Sequence, residues 1–426
     1  MNRLSKTYEL GKKQVAPKTL LIIGAGLPQI PAIKMAKKMG FKVVATDINP
    51  KAEGFKIADY RIVASTRDVE KSVTEIKKFN KKVKINGVMT IATEAGETVA
   101  AIAEELKLPG IPRNIAHGAT DKIERHRIFK KKNIPSTKFK TAKTLSETYN
   151  ACEELGYPVV FKPCDNAGSR GVVKVTNKRE IKDAIDIVAK NSKSNRILIE
   201  EFITGTEHST ESVVVNGKIY TTGFSDRNYD KKEMYYPHFV EDGDTLPTSL
   251  LVKMKQKVIS AAERAIEALG IDFGPAKGDI IVTKDGPKVL EMSPRLSGDY
   301  FCFETVPLHN GTNILKVVIE LAMGLKPDLD ALIPKFERGV ALRYIFPEPG
   351  RIKTIKGVKK VRKMRGVYFF RWEPYWKGIK VGTLITPLEH HGHRVGSIMT
   401  VANNRDSAIK IAEKARRGIK IIVDQV

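Results

Sequence analysis

The sequence predicts a mixed α/β and α+β fold, and three observations lead to this prediction. Up to about residue 115, buried-strand runs alternate with helical patterns, which is typical of a parallel sheet with helices on both faces. Two hairpins are predicted further along the chain, turning at Asn216-Gly217 and at Lys284–Gly286. From Gly339 onward, short strands and turns lead to one amphipathic helix and a last strand, which indicates a small α+β unit.

The individual elements follow from the spacing of apolar residues and from signals at their ends. The run Thr19–Gly26 predicts a buried strand, and Gly40 ends the helix that begins at Pro31, because glycine readily caps a helix. The other predicted strands are 41–47, 60–65, 85–91, 157–163, 171–175, 196–203 and 419–424, with hairpins at 212–224 and 278–295. The other predicted helices are 69–79, 97–106, 121–132, 146–155, 178–189, 250–269, 313–323 and 406–416.

The charge of the chain allows several kinds of partner. Its 74 Lys and Arg residues against 48 Asp and Glu give 74 − 48 = +26. This balance fits a nucleic acid, an anionic membrane or an anionic small substrate. The densest basic block, 351–380, also contains aromatic residues, but we favour surface strands of a core sheet over a site for single-stranded nucleic acid. We therefore expect neither a specific nucleic acid nor a membrane as partner.

The cysteines and the apolar runs point to a cytoplasmic protein. Cys152, Cys164 and Cys302 are odd in number and far apart, which excludes a disulfide framework and a CxxC metal site and fits a reducing compartment. No run of about 18 apolar residues exists, and the first 19 residues lack the apolar core of a secretory signal.

The first glycine motif is a weak signal. Gly24 and Gly26 follow the first predicted strand, and Asp47 ends the second, as in a dinucleotide-binding fingerprint. Gln29 occupies the position where the third glycine is needed. We favour a tight strand-to-helix turn over NAD binding, and an anion or a small substrate at this helix N-terminus stays open.

A second glycine-containing loop, residues 164–171, gives a stronger signal for phosphate. It follows Lys162 at the end of a strand, and small residues there allow backbone N–H groups to approach phosphate oxygens. The lysine adds a point charge for a phosphate chain. The alternative is a surface hairpin with an incidental lysine. The candidate phosphate-binding residues are Lys162, Asn166, Gly168, Ser169 and Gly171.

The next predicted strand suggests a purine site. The consecutive carboxylates Glu200 and Glu201 lie beside Phe202 and Ile203, which together provide an apolar slot with polar rims. Glu207 follows and can accept hydrogen bonds from ribose hydroxyls. Taken alone, the segment also fits an acidic strand edge.

The second hairpin suggests a metal site on a polyphosphate. Asp279 lies on one strand and Glu291 on the other, with Ser293 and Arg295 just beyond. Facing carboxylates offer the hard oxygen ligands that Mg²⁺ prefers. Arg295 can neutralise charge on a transferred phosphoryl group. A cross-strand ion pair is the alternative.

Together these segments resemble the ATP-grasp superfamily. The matching pieces are DK at 121–122, YPVVFKPCDNAGSRGV at 157–172, IEEFITGTE at 199–207 and GDIIVTKDGPKVLEMSPRLSG at 278–298. The resemblance is greatest to the carboxylate–amine ligase branch, with amino-acid ligases, carboxyaminoimidazole ribonucleotide synthase, biotin carboxylase and the carbamoyl phosphate synthetase large subunit. Residues 1–17 lack apolar periodicity and are predicted to be a basic tail. For the rest of the chain the resemblance implies an α/β domain (18–117), an ATP-grasp domain (118–338, with lobes 118–195 and 196–338) and a C-terminal domain (339–426).

The resemblance also implies roles for the candidate residues. Lys122 and Lys162 hold ATP phosphates beneath the 164–171 loop, Glu200 and the backbone of 201–203 meet adenine, and Glu207 meets the ribose. Glu291 with Asp279 binds Mg²⁺, with room for Mn²⁺ in its place, and Arg295 stabilises an acyl phosphate. Ser293 replaces the family's usual asparagine and is a weaker metal ligand.

Substrate signals are fewer. Arg227 is a candidate for binding a substrate carboxylate, and a solvated loop arginine is the equal alternative. His390, His391 and His393 have H-H-x-H spacing, but no cysteine accompanies them, so we favour a solvated turn over a metal site.

The function expected from the resemblance is an ATP-dependent carboxylate–amine ligase that forms a C–N bond through an acyl phosphate. Its partners are then a small-molecule carboxylate and an amine, and a homodimer stays open. The alternatives are a bicarbonate-activating carboxylase or a carbamoyl-phosphate-synthetase-like enzyme, and a nucleotide-binding protein without catalysis.

Overall fold

The computed structural model describes residues 17–194, 196–376 and 378–424. The predicted basic tail therefore lies almost entirely outside the described residues, as does Lys377 of the basic block. None of the helices in these ranges is long and apolar enough to cross a membrane.

The N-terminal segment forms a four-stranded parallel sheet, as predicted. Its strands are β1 (Thr19–Ile23), β2 (Lys42–Asp47), β3 (Tyr60–Val63) and β4 (Gly87–Met89), and its helices are α1 (Ile30–Lys38), α2 (Val69–Asn80) and α3 (Gly96–Leu106). The strand order is β3-β2-β1-β4. Every residue of β1 is buried, as expected for a central parallel strand covered on both faces.

The next segment builds a small antiparallel sheet. Its elements are α4 (Arg113–Thr120), α5 (Lys122–Lys131), β5 (Phe139–Ala142), α6 (Leu145–Leu155), β6 (Val159–Pro163), β7 (Val173–Val175), α7 (Ile181–Lys190) and β8 (Ile197–Glu201). The strand order is β5-β8-β6-β7. Asp121 caps the N-terminus of helix α5, and its carboxylate accepts hydrogen bonds from the N–H groups of Ile123 and Glu124. This cap places Lys122 in the first turn of the helix.

The central segment supplies the long strands. Its elements are β9 (Thr206–Val215), β10 (Lys218–Asn228), α8 (Lys232–Tyr235), β11 (Gly243–Leu246), α9 (Val252–Leu269), β12 (Gly274–Thr283), β13 (Gly286–Ser293), α10 (Val306–Asn310) and α11 (Ile314–Ala322). Both predicted hairpin turns are present. Asn216 and Gly217 have positive φ angles of 51° and 75°, which suits a tight turn between β9 and β10. These two strands extend well beyond the predicted 212–224.

The C-terminal segment continues the central sheet. Its elements are β14 (Gly339–Ile345), β15 (Gly350–Lys356), α12 (Val358–Arg362), β16 (Val367–Trp372), β17 (Leu384–Ile385), β18 (Gly396–Ala402), α13 (Arg405–Gly418) and β19 (Lys420–Asp424). The eight-stranded sheet has the order β13-β12-β9-β10-β11-β14-β18-β16, and β17, β15 and β19 form a separate sheet. The mixed α/β and α+β class predicted from the sequence is therefore confirmed.

The N-terminal sheet and the central sheet share one hydrophobic core. Its buried side chains include Leu20 of β1, Ile33 of α1, Val213 of β9 and Leu315 of α11. At one edge of this contact, Ile91 and Leu296 form an isolated parallel β-bridge. The bridge brings the loop after β4 next to the residues that follow β13.

Candidate active site

The structure places the two predicted metal-binding carboxylates opposite each other. Asp279 of β12 and Glu291 of β13 are paired in the strand register, beside a bulge at Asp279 and Ile280. Asp279 accepts a hydrogen bond from the Ser209 hydroxyl at 2.7 Å. The Ser293 hydroxyl lies 3.2 Å from a Glu291 carboxylate oxygen. Three oxygen-bearing side chains (Asp279, Glu291 and Ser293) thus converge on one face of the hairpin.

Nearby cations keep both carboxylates ionised. Burial by itself raises the pKa of Glu291, but the charges of Arg125 and Lys122 outweigh it and hold the pKa well below its usual value. Burial also opposes ionisation of Asp279, and there Arg227 and Lys277 lower the pKa.

The donor set fits a divalent cation such as Mg²⁺. Two ionised carboxylates and a hydroxyl offer only hard oxygen ligands, with neither histidine nor cysteine among them. The fit rests on this chemistry of the donors, with Ser293 as the weakest of the three.

Arg295 forms an ion pair with the side chain of Glu94, a residue of the N-terminal segment that was not among the predicted site residues. Its Nε donates to Glu94 Oε1 at 2.8 Å, and its Nη1 donates to the Leu296 carbonyl at 3.2 Å. Glu94 lies in the loop after β4, which the Ile91–Leu296 bridge positions. One feature of the sequence could have identified Glu94: it follows the carboxyl end of a predicted parallel strand, where residues commonly line a site.

Lys162 lies in a cluster with Glu200 and His126. Its ammonium forms an ion pair with Glu200, whose other carboxylate oxygen lies 2.6 Å from His126 Nε2. Burial opposes ionisation of Glu200, but Lys162 and His126 lower its pKa to about 2. Lys162 and His126 thus contact the two carboxylate oxygens of Glu200. The adenine-binding role expected for Glu200 from the sequence did not include these two partners.

The 164–171 loop is held at its first half by side chains from two other segments. Lys122 Nζ donates to the carbonyl of Asn166, and Arg67 Nη1 donates to the carbonyl of Asp165 at 3.0 Å. At its end, Gly171 has a φ of 72°, and a Cβ there would lie 2.7 Å from Cβ of Asn191. Glycine is therefore required at position 171 by both conformation and space. Gly168 and Ser169 also have positive φ angles, 66° and 59°.

The predicted purine segment lies at the end of β8, an interior strand of the small sheet, and residues 201–203 are half-buried. The Glu201 carboxylate accepts a hydrogen bond from the Lys138 N–H and one from Lys288 Nζ, both at 3.0 Å. The Phe202 ring packs near Phe239, and Lys174 Nζ lies 4.1 Å from the centre of the Phe202 ring. Ile203, next in the chain, is half-buried.

Arg227 is surrounded by carboxylates. Its guanidinium lies 2.6 Å from Glu241, 3.2 Å from Asp279 and 3.6 Å from Glu207. Burial raises the pKa of Glu207, although Arg227 counteracts this. An arginine with three acidic neighbours differs from the free cation expected for a substrate carboxylate. It instead links the candidate metal hairpin to Glu241.

The Gly24–Gly26 turn is filled by its own neighbour. Gly24 has a φ of 101°, and a Cβ there would lie 3.0 Å from the Gln29 side chain. Gln29 is buried and donates from Nε2 to the Ile91 carbonyl at 2.7 Å. Ala25 N–H donates to Asp47 at 3.1 Å. Gln29 thus occupies the space behind Gly24, which favours a tight structural turn.

The histidine turn was expected to be solvated, and this expectation is wrong. His393 is buried and His391 is half-buried, because the turn packs against the 164–171 loop and against the rings of Tyr375 and Trp376. Ligand atoms of His391, Glu241 and Asp299 all lie within 4.8 Å of one another. Each carboxylate already has an arginine partner, Arg227 for Glu241 and Arg394 for Asp299, so the charge expected from a metal ion is already supplied.

These features define a class of protein. A strand-end lysine beside a glycine-containing loop, together with facing carboxylates on a long antiparallel hairpin, offers the groups that a metal-bound nucleoside triphosphate needs. Residues 119–299 match the family described as ATP-grasp domain, residues 343–424 match L-amino acid ligase C-terminal domain 2, and residues 3–102 match alanine dehydrogenase/PNT, C-terminal domain.

Similar proteins agree with this class. The chain is 25% identical to uncharacterized protein y4rH of Sinorhizobium fredii, covering 83% of this chain and 72% of the relative. It is 22% identical to formate-dependent phosphoribosylglycinamide formyltransferase of Ignicoccus hospitalis, covering 94% and 96%. The crystal structure of L-amino acid ligase from Bacillus licheniformis has a TM-score of 0.79 at 23% identity, covering 96% and 99%, and so shares the fold. Residues 119–299 therefore form an ATP-grasp domain, and the chain as a whole resembles the carboxylate–amine ligase branch of ATP-grasp enzymes.

Proposed function

We propose that the protein uses ATP and Mg²⁺ to couple a small-molecule carboxylate to an amine. A carboxylate oxygen attacks the γ-phosphorus, and the bond to the ADP oxygen breaks, which gives an acyl phosphate. The amine nitrogen then attacks the acyl carbon, phosphate leaves, and the nitrogen loses a proton. The products are an amide, ADP and phosphate. The observation that carries the proposal is the pair of facing carboxylates, Asp279 and Glu291, on a hairpin whose second strand leads to Arg295.

The phosphate chain of ATP would lie between Lys122, Lys162 and the 164–171 loop. Lys122 already contacts the loop, and Lys162 lies at the end of the strand that leads into it. The adenine would lie along the 201–203 backbone, beside the Phe202 ring cluster, and Glu207 would meet the ribose. Binding here mainly positions the γ-phosphate, which is most of what phosphoryl transfer requires.

Asp279, Glu291 and the Ser293 hydroxyl would hold Mg²⁺, with Mn²⁺ as a second metal of similar ligand preference. When bound, the metal supplies positive charge to the phosphate chain. The biotin carboxylase domain of Hydrogenobacter thermophilus 2-oxoglutarate carboxylase, which shares the fold, was solved with Mg-ADP.

Arg295 would stabilise charge on the transferred phosphoryl group. Its guanidinium is held in place by Glu94, which belongs to the N-terminal segment, so the groups meet at the junction of the two sheets. The carboxylate substrate would enter at this junction, next to Arg295. Such fixed charge lowers the barrier because it needs no rearrangement during the reaction.

A substrate screen tests the proposal. Phosphate release is followed with ATP, Mg²⁺ and a panel of carboxylates, each with and without a panel of amines, and products are identified by mass. We expect slow turnover with ATP alone and a sharp increase when a matching pair is present. A product with a new phosphoryl group and no new C–N bond would replace the proposal with a kinase-like reaction. Turnover that requires bicarbonate would favour the carboxylase or carbamoyl phosphate alternative, and ATP binding without any turnover would favour a non-catalytic protein.

A further inference from the structure

The histidine turn of the C-terminal segment contacts the candidate phosphate loop through two hydrogen bonds. The backbone N–H of His391 donates to the Gly168 carbonyl at 3.2 Å. The imidazole Nε2 of His391 lies 3.1 Å from the Ser169 hydroxyl, across a sequence separation of 222 residues. Backbone and side chain of one residue thus bind two consecutive residues of the loop.

The contacted part of the loop has an unusual backbone. Ser169 has a φ of 59°, in the left-handed region that residues with a Cβ rarely adopt. Such a conformation persists when surrounding contacts stabilise it. The first half of the loop is held by Lys122 and Arg67, whereas the half that contains Ser169 is held by His391.

The imidazole acts as a hydrogen-bond acceptor in this contact. The Glu241 N–H points to the same Nε2 at 3.4 Å, so this nitrogen carries no proton and the Ser169 hydroxyl is the donor. Burial and the charges of Arg394 and Arg227 lower the pKa of His391 well below its usual range, which keeps the ring neutral. The contact is therefore formed at neutral pH.

The turn itself is firmly anchored. Arg394, three residues after His391, is buried, and its Nη1 donates to Asp299 at 2.6 Å. Its Nε donates to the Glu241 carbonyl at 3.1 Å, and its guanidinium lies 3.8 Å from the centre of the Tyr344 ring. The turn is thus fixed to the central sheet, whereas the 164–171 loop joins two short strands of the small sheet.

We propose that His391 is a positioning residue that clasps the 164–171 loop in its closed position over the nucleotide. The C-terminal segment then controls how readily the loop opens, and so controls both water entry during the acyl-phosphate stage and ADP release afterwards. The clasp rests on the proposed function, because it needs ATP to lie beneath this loop. An acyl phosphate that meets water is lost as free carboxylate, so an open loop would uncouple phosphate release from amide formation.

Limited trypsin digestion of the nucleotide-free protein tests the clasp directly. Arg170 lies next to Ser169, and cleavage after it reports loop opening when the fragments are mapped by mass. A neutral hydrogen bond stabilises by about 1 kcal/mol, which corresponds to about a fivefold change in an equilibrium. We expect His391→Ala to speed this cleavage by roughly five- to tenfold. His391→Gln, which retains an acceptor, should restore part of the protection.

Two further variants separate the clasp from a general loss of structure. His390→Ala is the matched control, because the hydrogen bond and ring contacts of its side chain are with Gly392, His393 and Tyr375 rather than with Gly168 or Ser169. It should leave the cleavage rate unchanged. Ser169→Ala should speed cleavage as His391→Ala does. Both substitutions remove the same hydrogen bond, so the rate increase in the double variant should be smaller than the product of the two single increases. Equal cleavage in wild type and His391→Ala, at equal unfolding temperature, would overturn the proposal.

Kinetics provide a readout that a purely structural role would not change. His391→Ala should raise the ratio of phosphate released to amide formed, and should raise KM for ATP more than it lowers kcat. An unchanged ratio would also overturn the proposal. Protection of the wild-type loop by a non-hydrolysable ATP analogue tests the nucleotide site separately. If the analogue gives no protection while His391→Ala still opens the loop, the proposed function fails and the clasp stands as a contact between the two segments.

Discussion

Replacing Lys162 by alanine should have two separable consequences, because the ammonium serves a candidate phosphate site and also neutralises a buried carboxylate. The Glu200 side chain is 3% exposed and contacts both Lys162 and His126. Lys162→Ala removes one of these partners and leaves the carboxylate with His126 alone. We therefore expect both lower ATP affinity and lower stability.

The size of the stability effect follows from the pKa of Glu200. Its value of about 2 lies below the ordinary 4.5, and one pKa unit corresponds to about 1.4 kcal/mol, so ionisation of Glu200 in the folded state contributes up to about 3 kcal/mol at neutral pH. Lys162 supplies part of this, and Lys162→Ala should cost about 1–3 kcal/mol at pH 7. A lowered acid pKa gives stability above about pH 4.5 that is lost as the pH falls towards 2. The deficit of the variant should therefore shrink in that range.

Urea unfolding at pH 7 and pH 3 measures the stability term, and calorimetry measures ATP binding. Lys162→Ala/Glu200→Gln removes the buried charge as well and should recover most of the stability, whereas ATP binding should stay weak. Lys140→Ala is a matched control, because this lysine pairs with Glu154 at an exposed site and should cost less than 1 kcal/mol. Undiminished ATP affinity in Lys162→Ala would refute the phosphate assignment, and wild-type stability would refute the importance of the buried pair.

Four other experiments test the remaining site residues, a buried carboxylate and the role of the net positive charge. Glu291→Gln should reduce Mg²⁺-dependent ATP turnover more than Asp279→Asn, since Asp279 already has Arg227 as a partner. Arg295→Ala should lower kcat by about 10²–10³-fold and ATP affinity far less, because its contact forms mainly in the transition state. Burial raises the pKa of Glu211 from 4.5 to about 7, so stability is lost as the pH rises from about 4.5 to about 7. Glu211→Gln should therefore stabilise by up to about 3 kcal/mol at pH 8 and little at pH 4 in urea unfolding. Nucleic-acid binding should be weak and steeply salt-dependent in filter binding, because it would arise from counterion release.

Each of these expectations has a contrary result. Full activity of Glu291→Gln would remove the metal site, and an equal loss of kcat and ATP affinity in Arg295→Ala would assign this arginine to ground-state binding. A pH-independent effect of Glu211→Gln would show that its hydrogen bonds to Ser297, rather than its ionisation, dominate. Tight binding of one defined sequence at physiological salt would establish a nucleic-acid partner.

Local patterns predicted most of the helices and strands because those elements depend on nearby residues. The Asn216-Gly217 turn is an example, since only its two residues need positive φ. The elements α4, β5, α8, β11 and α10 were missed. Helix α4 has the short sequence RNIAHGAT, whose glycine and β-branched residues weaken any helical pattern. Strand β9 was predicted too short because its first residues are polar, although His208, Ser209 and Thr210 are buried within the sheet.

The candidate site was predictable only where its parts are close in sequence. Asp279 and Glu291 lie on one hairpin, so their pairing follows from its turn. Glu94 reaches Arg295 across 201 residues, and His391 reaches Ser169 across 222. Such contacts depend on how the sheets pack, which no local pattern records. Arg227 is a second example. Its position in the sequence suggested a cation available for a substrate, whereas in the folded structure three carboxylates surround it.

The charges within the site indicate how the nucleotide should arrive. Arg227 and Lys277 are engaged by the acids of the hairpin, and Lys162 is engaged by Glu200. Despite the net charge of +26, few of the cations nearest the hairpin are left to balance a triphosphate. We therefore expect the metal that Asp279 and Glu291 would hold to supply part of the charge that faces the phosphates, together with Lys122. We infer that Mg-ATP, rather than free ATP, is the species that this site accepts, and that the excess positive charge elsewhere on the chain acts at longer range by attracting anions to the protein.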